Sequence, residues 1–182
     1  MKAIASSSAA KAISRRGMGV YSKRAMAVNA ESDTWILTGS LENFRINVDR
    51  DFDVIGLKEG RVRMAERFEP GDEVVFYVTG VQAFGGIARV LTPMFEDREP
   101  IWPQGKKKKR EDYPWRVGAE PVIVLPEEDF VPAESLVGEL EHLSKWPAEH
   151  WHLGFQGQLR TVSEGDAELL RARIGAAAPS RA

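Results

Sequence analysis

Residues 73–91 read EVVFYVTGVQAFGGIARVL, and this stretch predicts the pair of strands around which the fold is built. Glu73–Val78 is almost wholly apolar, Gly85–Leu91 is apolar and β-branched, and Thr79–Phe84 connects the two runs. Gly85-Gly86 lies inside the second run, where glycine indicates a bulge or the close approach of another backbone. We therefore expect two neighbouring strands with a local irregularity at the glycines.

The segments on either side predict further strands and helices. Ser40 stands at the N-cap position of the first helix, and Ser163 with Asp166 has the spacing of a capping box before the last one. In chain order, the predicted elements are a strand over Thr34–Thr38, a helix over Leu41–Arg50, a strand over Phe52–Gly56, a helical turn over Arg61–Arg67 closed by Pro70-Gly71-Asp72, a strand over Val117–Leu125, and helices over Ala133–Leu143 and Glu164–Ile174. For residues 146–158 helix and strand both stay open.

Strands that are far apart in the sequence, with helices at both ends, indicate an α/β (α+β) protein with a mixed sheet or a small open barrel. The chain shows no alternation of strand, helix and strand, and it has no glycine-rich phosphate loop. A nucleotide-cofactor fold is therefore not expected, and no cofactor is predicted.

Length and composition fit one domain with tails. The chain has 182 residues, no cysteine and a formal net charge of −2. We expect a domain over 33–174, preceded by a basic tail (1–32) and followed by a flexible tail (175–182). The absence of cysteine excludes a disulfide framework and a thiolate zinc site. No apolar run approaches the roughly 18–20 residues of a membrane span, so no membrane partner is expected.

Charge is unevenly distributed. Residues 1–32 carry six basic residues and one acid, whereas 33–174 carry 18 basic and 26 acidic residues. The basic, Ser-rich tail indicates disorder or a start-site artefact with Met18 or Met26 as the initiator. A transit peptide is the alternative, so cytoplasmic localisation is expected and organellar import stays open.

Residues 93–117 carry the residue types that suit a nucleic acid. Pro100-Ile101-Trp102-Pro103 and Tyr113-Pro114-Trp115-Arg116 flank the cationic run Lys106, Lys107, Lys108, Lys109 and Arg110. Aromatic faces stack on bases, and clustered Lys and Arg neutralise phosphates. The alternative interpretation is that the tryptophans are core residues and that the charge run is a solvated loop tip.

The histidines and carboxylates offer little chemistry. His150 and His152 have the spacing of metal ligands on a strand, but no third ligand is evident, so no metal site is predicted. No Ser–His–acid arrangement or paired-carboxylate motif stands out, so we do not expect an enzyme.

A set of ordered motifs resembles the EVE domain family, a branch of the PUA-like superfamily related to the YTH readers of methylated adenine. The motifs are Trp35-Ile36-Leu37 with Glu42-Asn43-Phe44, Pro70-Gly71-Asp72 into Val75–Val78, Phe84–Ala88, Pro100–Pro103, Tyr113–Val117 and Phe155–Arg160. The resemblance implies a PUA-like curled mixed sheet, or open pseudo-barrel, surrounded by helices. It also implies a pocket for a flipped-out modified base.

The resemblance implies roles for individual residues. Trp102 matches an aromatic wall of the cage in the related readers, and Asn43 matches an amide that hydrogen-bonds the base edge. The predicted pocket residues are Asn43, Trp102, Trp115, Tyr77, Ser40, Ile55, Gly56 and Phe84, and the predicted backbone contacts are Lys106–Arg110 and Arg116. Where the YTH readers have a second cage tryptophan this chain has Val54-Ile55-Gly56-Leu57, which leaves the modified base open.

The leading hypothesis is a non-catalytic module that recognises a modified base in single-stranded or base-flipped DNA or RNA. A hydrolase that acts on a nucleobase or nucleotide in the same pocket is the first alternative, and it requires His152, Glu149 or Asp166 to line the cavity. A protein-interaction module is the second alternative, and it requires Trp102 and Trp115 to be fully buried with no cavity beside them.

Overall fold

The structure, a computed structural model that describes residues 32–103 and 113–179, is built on a curled mixed β-sheet with helices around it. The order of its main strands is β2-β6-β4-β3-β1-β8, with β5 paired to β6 and β7 paired to β4. Only β1 and β3 run parallel among the described pairs. The strands are β1 (Thr34–Ser40), β2 (Val54–Leu57), β3 (Glu73–Thr79), β4 (Ala83–Val90), β5 (Phe95–Glu96), β6 (Trp115–Val124), β7 (Val131–Pro132) and β8 (Leu159–Val162). The predicted fold class is confirmed.

The β3–β4 pair contains the predicted irregularity. Phe76 pairs with Gly86 and Tyr77 pairs with Phe84, so Gly85 forms a bulge opposite β3. A β carbon on Gly85 would lie 2.7 Å from the Phe44 ring, and one on Gly86 would lie 2.5 Å from a backbone carbonyl of β6. Both glycines therefore allow close packing that a larger residue would block.

Helix α1 (Leu41–Asp49) begins where the sequence predicts. The Ser40 side chain accepts a hydrogen bond from the Asn43 backbone N–H at 3.1 Å, which satisfies a free donor of the first turn. Phe44 and Asn47, one turn apart, are buried under the sheet. The cap thus fixes the helix face that carries two asparagines, Asn43 and Asn47.

The sheet separates two apolar clusters because side chains alternate along its strands. Trp35, Phe76 and their neighbours pack on one face beneath α1, while Ile36 and Val75 pack on the other beneath α3 (Glu164–Ala177). Leu170 and Ile174 of α3 are fully buried, as the apolar spacing of that helix predicts.

The helix predicted over Ala133–Leu143 is wrong. The chain forms a 3-10 helix over Ala133–Leu136, turns at Gly138 with φ +90°, and forms a second 3-10 helix over Glu141–Lys145. Leucines in this stretch are buried all the same, so their spacing reports burial and not an α-helix. The segment left open contains a further 3-10 helix, Ala148–Phe155, with a kink at His150.

The capping box before α3 is formed only in part. The Asp166 backbone N–H donates to the Ser163 side chain at 3.4 Å, as expected. The Asp166 carboxylate instead accepts from the backbone N–H groups of Glu141 and His142, at 2.7 and 2.8 Å. Asp166 thereby joins α3 to the 3-10 helix Glu141–Lys145.

In the described parts of the chain, no helix combines the length and apolarity required to span a bilayer.

Candidate functional site

A cavity of about 730 Å³ opens where β1 and β3 end beside the first turn of α1. Its volume lies within the roughly 300–1,000 Å³ of small-ligand pockets. The short helix α2 (Val62–Ala65) follows the 3-10 turn Glu59–Arg61 at its edge. The lining residues include Thr38, Ser40, Glu42, Asn43, Asn47, Gly56, Lys58, Arg61, Tyr77, Trp102, Tyr113, Gly157 and Gln158.

Trp102 is the large aromatic wall of the cavity. Its indole is 6% exposed, and its Nε1–H donates to Asn47 Oδ1 at 2.8 Å. A β carbon on Gly56 would lie 2.3 Å from Trp102 Cζ3, so the indole occupies the space that this glycine leaves. The Arg116 guanidinium lies 5.5 Å from the ring centroid. These contacts hold the indole in one position.

Tyr113 and Asn43 complete the aromatic end of the cavity. The Tyr113 ring meets Trp102 edge to face, with centroids 5.4 Å apart. Asn43 Nδ2 donates to the Tyr113 hydroxyl at 3.4 Å, and within residues 32–103 and 113–179 its carbonyl has no hydrogen-bond partner. An amide with one weak contact and a vacant acceptor can pair with the edge of a base.

Tyr113 and Asn47 are site residues that the sequence analysis did not select. Tyr113 belongs to the motif Tyr113-Pro114-Trp115-Arg116, in which Trp115 was assigned the pocket role instead. Asn47 lies one turn after Asn43 on α1, a spacing of four that places both amides on one helix face. That spacing is the signal that could have found Asn47.

Five residues of the predicted pocket line the cavity: Ser40, Asn43, Gly56, Tyr77 and Trp102. Their contact with a base stays a prediction. Tyr77 is only 4% exposed because its ring stacks on Phe155 at 4.1 Å. Burial raises the pKa of Tyr77, and the charge of Arg160 opposes that rise. The phenol therefore stays neutral well above physiological pH.

Three predicted pocket residues do not line the cavity. Ile55 is 1% exposed and packs in the cluster beneath α1, since it alternates with Gly56 along β2. Phe84 is fully buried in the cluster beneath α3. Trp115 packs against the core, and its Nε1–H donates to the Glu59 carbonyl at 2.8 Å.

Arg116 is turned inward, whereas the sequence analysis predicts a backbone contact for it. The side chain is 1% exposed, pairs with Asp97 at 2.6 Å, and donates to the carbonyls of Tyr113 and Glu99. With these partners it braces the strand beside Trp102. The other predicted backbone contacts, Lys106, Lys107, Lys108, Lys109 and Arg110, lie outside the described residues.

The residues that the enzymatic alternative requires lie elsewhere. Glu149, His152 and Asp166 do not line the cavity, and the Asp166 carboxylate is occupied by two backbone N–H groups. Among residues 32–103 and 113–179, no group of three or more His, Asp or Glu side chains could hold a metal ion.

The strand order, the parallel β1–β3 pair and the cavity at its end define a small α/β domain with a curled half-barrel sheet. The chain belongs to the EVE domain family, whose sequence model matches residues 33–172. A UPF0310 protein of Saccharolobus solfataricus is 33% identical to the chain over 84 residues, which is 43% of this chain. The match spans about half of that relative, 54% of its length.

Solved structures of low sequence identity share the fold. The YTH domain of the Zygosaccharomyces rouxii MRB1 protein, in complex with N6-methyladenosine RNA, matches with a TM-score of 0.55, 18% identity, and coverage of 82% of this chain and 91% of that one. The YTH domain protein Mmi1, in complex with RNA, matches with a TM-score of 0.57 and 12% identity, and the match covers 81% of this chain and 83% of that one. A Pseudomonas putida protein matches with a TM-score of 0.53 and 16% identity, and the match covers 78% of this chain and 99% of that one.

Proposed function

We propose that this chain is a non-catalytic module that binds one modified base of a DNA or RNA strand in the cavity. The observation that carries the proposal is the arrangement of Trp102, Tyr113 and the Asn43 amide at one end of the cavity. Two rings offer stacking surface, and one amide offers a donor and an acceptor to the edge of a base.

The cavity is preorganised for a flat ligand. The hydrogen bond from Trp102 to Asn47 and the contact with Gly56 hold the indole before any ligand arrives. A ring that is already fixed loses little conformational freedom on binding, so more of the stacking energy contributes to affinity. Flipping a base out of a duplex costs a few kcal/mol, which favours single-stranded or locally open substrates.

The solved structures of similar fold support a nucleic-acid partner. The MRB1 YTH domain was crystallised with N6-methyladenosine RNA, and the Mmi1 YTH domain was crystallised with RNA. In this chain Gly56 lies beside Trp102, and Leu37 and Val78 contribute apolar lining, which suits a base that carries a methyl-sized group. Both DNA and RNA carriers fit this proposal, and the experiment below separates them.

The test is the binding of short single-stranded DNA and RNA oligonucleotides, with and without common base modifications, at two salt concentrations. Trp102→Ala should weaken modification-dependent binding by about 5- to 150-fold, since stacking contributes roughly 1–3 kcal/mol per base. Trp115→Ala is the matched control, because this tryptophan flanks the same connection but does not line the cavity. It should change affinity less than about twofold.

Each other outcome has a definite meaning. Equal losses in the two variants would contradict the assigned cavity and return the stacking role to Trp115. Binding that ignores base modification and only weakens with salt would reduce the function to charge neutralisation. Mass spectrometry of the recovered oligonucleotide should show an unchanged base, and a converted base would overturn the non-catalytic proposal.

A further inference from the structure

Two arginines, Arg61 and Arg160, lie beside Gly157 at one edge of the cavity, and among residues 32–103 and 113–179 neither forms an ion pair with a carboxylate. Most arginines of the described residues pair with an acid, but Arg61, Arg63 and Arg160 do not, and of these three Arg61 and Arg160 lie beside Gly157 of the cavity. The paired ones are Arg45, Arg50, Arg67, Arg89, Arg98, Arg116, Arg171 and Arg173. Two uncompensated positive charges at one edge of a binding cavity favour an anion there.

The two guanidinium groups converge on Gly157. A β carbon on Gly157 would lie 3.6 Å from Arg61 Nη2 and 3.8 Å from Arg160 Nη2. Gly157 lines the cavity, as does Arg61, and has φ +88°, a conformation that glycine adopts without strain. The absence of a side chain therefore leaves unfilled the position of a β carbon that lies within 4 Å of both cationic groups.

Arg160 is held in place by uncharged groups. It donates to the carbonyls of Gln156 and Gly157, and its guanidinium lies 5.9 Å from the Phe155 ring centroid. Arg160 Nη1 lies 3.5 Å from His142 Nε2. His142 Nε2 also lies 2.7 Å from the Gly154 carbonyl oxygen, to which it must donate a proton, so it cannot accept a hydrogen bond from Arg160. The Arg160 Nε–H is buried without a partner among the described residues. Burial and then the charge of Arg61 lower the pKa of Arg160.

Arg61 is free to contact a ligand. Within residues 32–103 and 113–179 its side chain has no hydrogen bond or ion pair, and it is half-buried at the cavity wall. It follows the backbone turn in which Lys58 N–H donates to the Gln158 side chain at 3.0 Å. That bond joins the turn that carries Arg61 to the segment that carries Gly157, so the fold keeps these two segments side by side.

We propose that Arg61, supported by the fixed charge of Arg160, binds a phosphate group beside Gly157, and that this phosphate belongs to the nucleotide whose base occupies the cavity. The inference rests on the proposed function for the identity of the ligand. It assigns backbone recognition to residues other than the cationic run of the sequence, Lys106–Arg110. A guanidinium is suited to a phosphate because its donors match the oxygens in a planar fork.

The first test uses inorganic phosphate and needs no nucleic acid. In an NMR titration at constant ionic strength, the Gly157 amide and the Arg61 Nε–H signals should shift saturably with phosphate in the native chain. Arg63→Gln, on the adjacent exposed residue of α2, is the matched control and should behave as the native chain. Arg61→Gln should abolish the Gly157 shift. An absent shift in the native chain, or an equal shift in Arg61→Gln, would overturn the site.

The second test uses an oligonucleotide that the native chain binds. Arg61→Gln should weaken binding about tenfold at low salt, as expected for a charge-assisted contact. It should also make the slope of log K against log salt shallower by about 0.7, the value for one phosphate on a single strand. Arg63→Gln should change neither quantity. Equal behaviour of the two variants would overturn this inference and leave the base cavity standing. Failure to find any oligonucleotide that the native chain binds would instead count against the proposed function.

Discussion

Trp102 and Trp115 flank one connection of the chain, and they occupy different environments. The Trp102 indole lines the cavity and donates to the side chain of Asn47 on α1, at 2.8 Å. The Trp115 indole donates to the backbone carbonyl of Glu59 at the same distance and packs against the core outside the cavity. Nothing in their local sequence separates them, since each stands beside a proline within a short aromatic motif. The difference comes from which distant element each indole N–H meets.

The two tryptophans thus form surfaces of different kinds, one beside a cavity and the other packed against the core. The partner of Trp102 is a buried amide that fixes the ring and leaves the cavity beside it open. The partner of Trp115 is a 3-10 turn, which the indole covers. A tryptophan contributes to binding only where the fold leaves space for a ligand beside it.

The largest effect is expected from Gly56→Ala. The added β carbon would lie 2.3 Å from Trp102 and 3.0 Å from the Tyr113 β carbon, so the indole must move. Overpacking of this kind costs about 1–3 kcal/mol of unfolding free energy, and displacement of Trp102 should abolish base binding. Urea unfolding and oligonucleotide binding measure the two effects.

Gly60→Ala serves as the control for this substitution. A β carbon on Gly60 would meet nothing within 4 Å, and Gly60 lies beside the Glu59 carbonyl that Trp115 contacts. It should leave binding unchanged and stability within about 0.5 kcal/mol, as for most surface substitutions. If both alanine variants bind like the native chain, Trp102 is not the wall of the site.

Matched phenylalanine substitutions should separate the two tryptophans by a smaller margin. Trp102→Phe removes the donor to Asn47 Oδ1, whose residue is 6% exposed, and an unsatisfied buried acceptor costs about 1–3 kcal/mol. Trp115→Phe removes a bond at an exposed position, where water can replace the donor, so its cost should be about 0.5–1 kcal/mol. Urea unfolding of both variants tests the order, and equal costs would remove the distinction.

The local parts of the fold could be predicted from the sequence. Helix α1 follows a Ser40 cap, and the Gly85 bulge follows from glycine inside an apolar run, because both depend on near neighbours. The helix predicted over Ala133–Leu143 is wrong because Val137 is already extended, with ψ 125°, and Gly138 then turns the chain with φ +90°. The leucine spacing still marks buried positions. Apolar periodicity alone does not report that conformation.

The site could be predicted only in part. Asn43 and Trp102 line the cavity, and both belong to motifs of the family resemblance. Gly56 lines it too, although it belongs to the stretch where the chain departs from the YTH readers. The prediction for Ile55 is wrong because neighbouring residues of a strand face opposite sides of the sheet. The prediction for Arg116 is wrong because a charged side chain is expected to face solvent, whereas this one is buried and pairs with Asp97. The hydrogen-bond partner of Trp102 and the ion-pair partner of Arg116 are distant in sequence, so no local sequence pattern predicts these contacts.

The smallest effect on stability is expected at His142, which lies next to Arg160. It tests whether the different environments of Trp102 and Trp115 depend only on their own neighbours. The pKa of His142 is lowered, mainly by burial and further by the charges of Arg160 and Lys145. The hydrogen bond to the Gly154 carbonyl and the charge of Asp166 oppose this shift. The unfolded chain therefore binds the proton first as pH falls through about 6.5. The unfolding free energy should decrease with falling pH, from that range down to the lowered folded pKa, and level off below it.

His142→Gln should flatten this pH dependence, while His150→Gln, at an exposed position, should keep it. Urea unfolding between pH 7 and 5 measures the slopes for the two variants and the native chain. The ring contacts of His142 are with Trp146 and Phe155, so the fluorescence of Trp102 and Trp115 should not follow this titration. The contrary result is a pH-dependent change in Trp102 fluorescence, measured in single-tryptophan variants, that disappears in His142→Gln. It would show that protonation of His142 affects the environment of Trp102, so the difference between the two tryptophans would not be local.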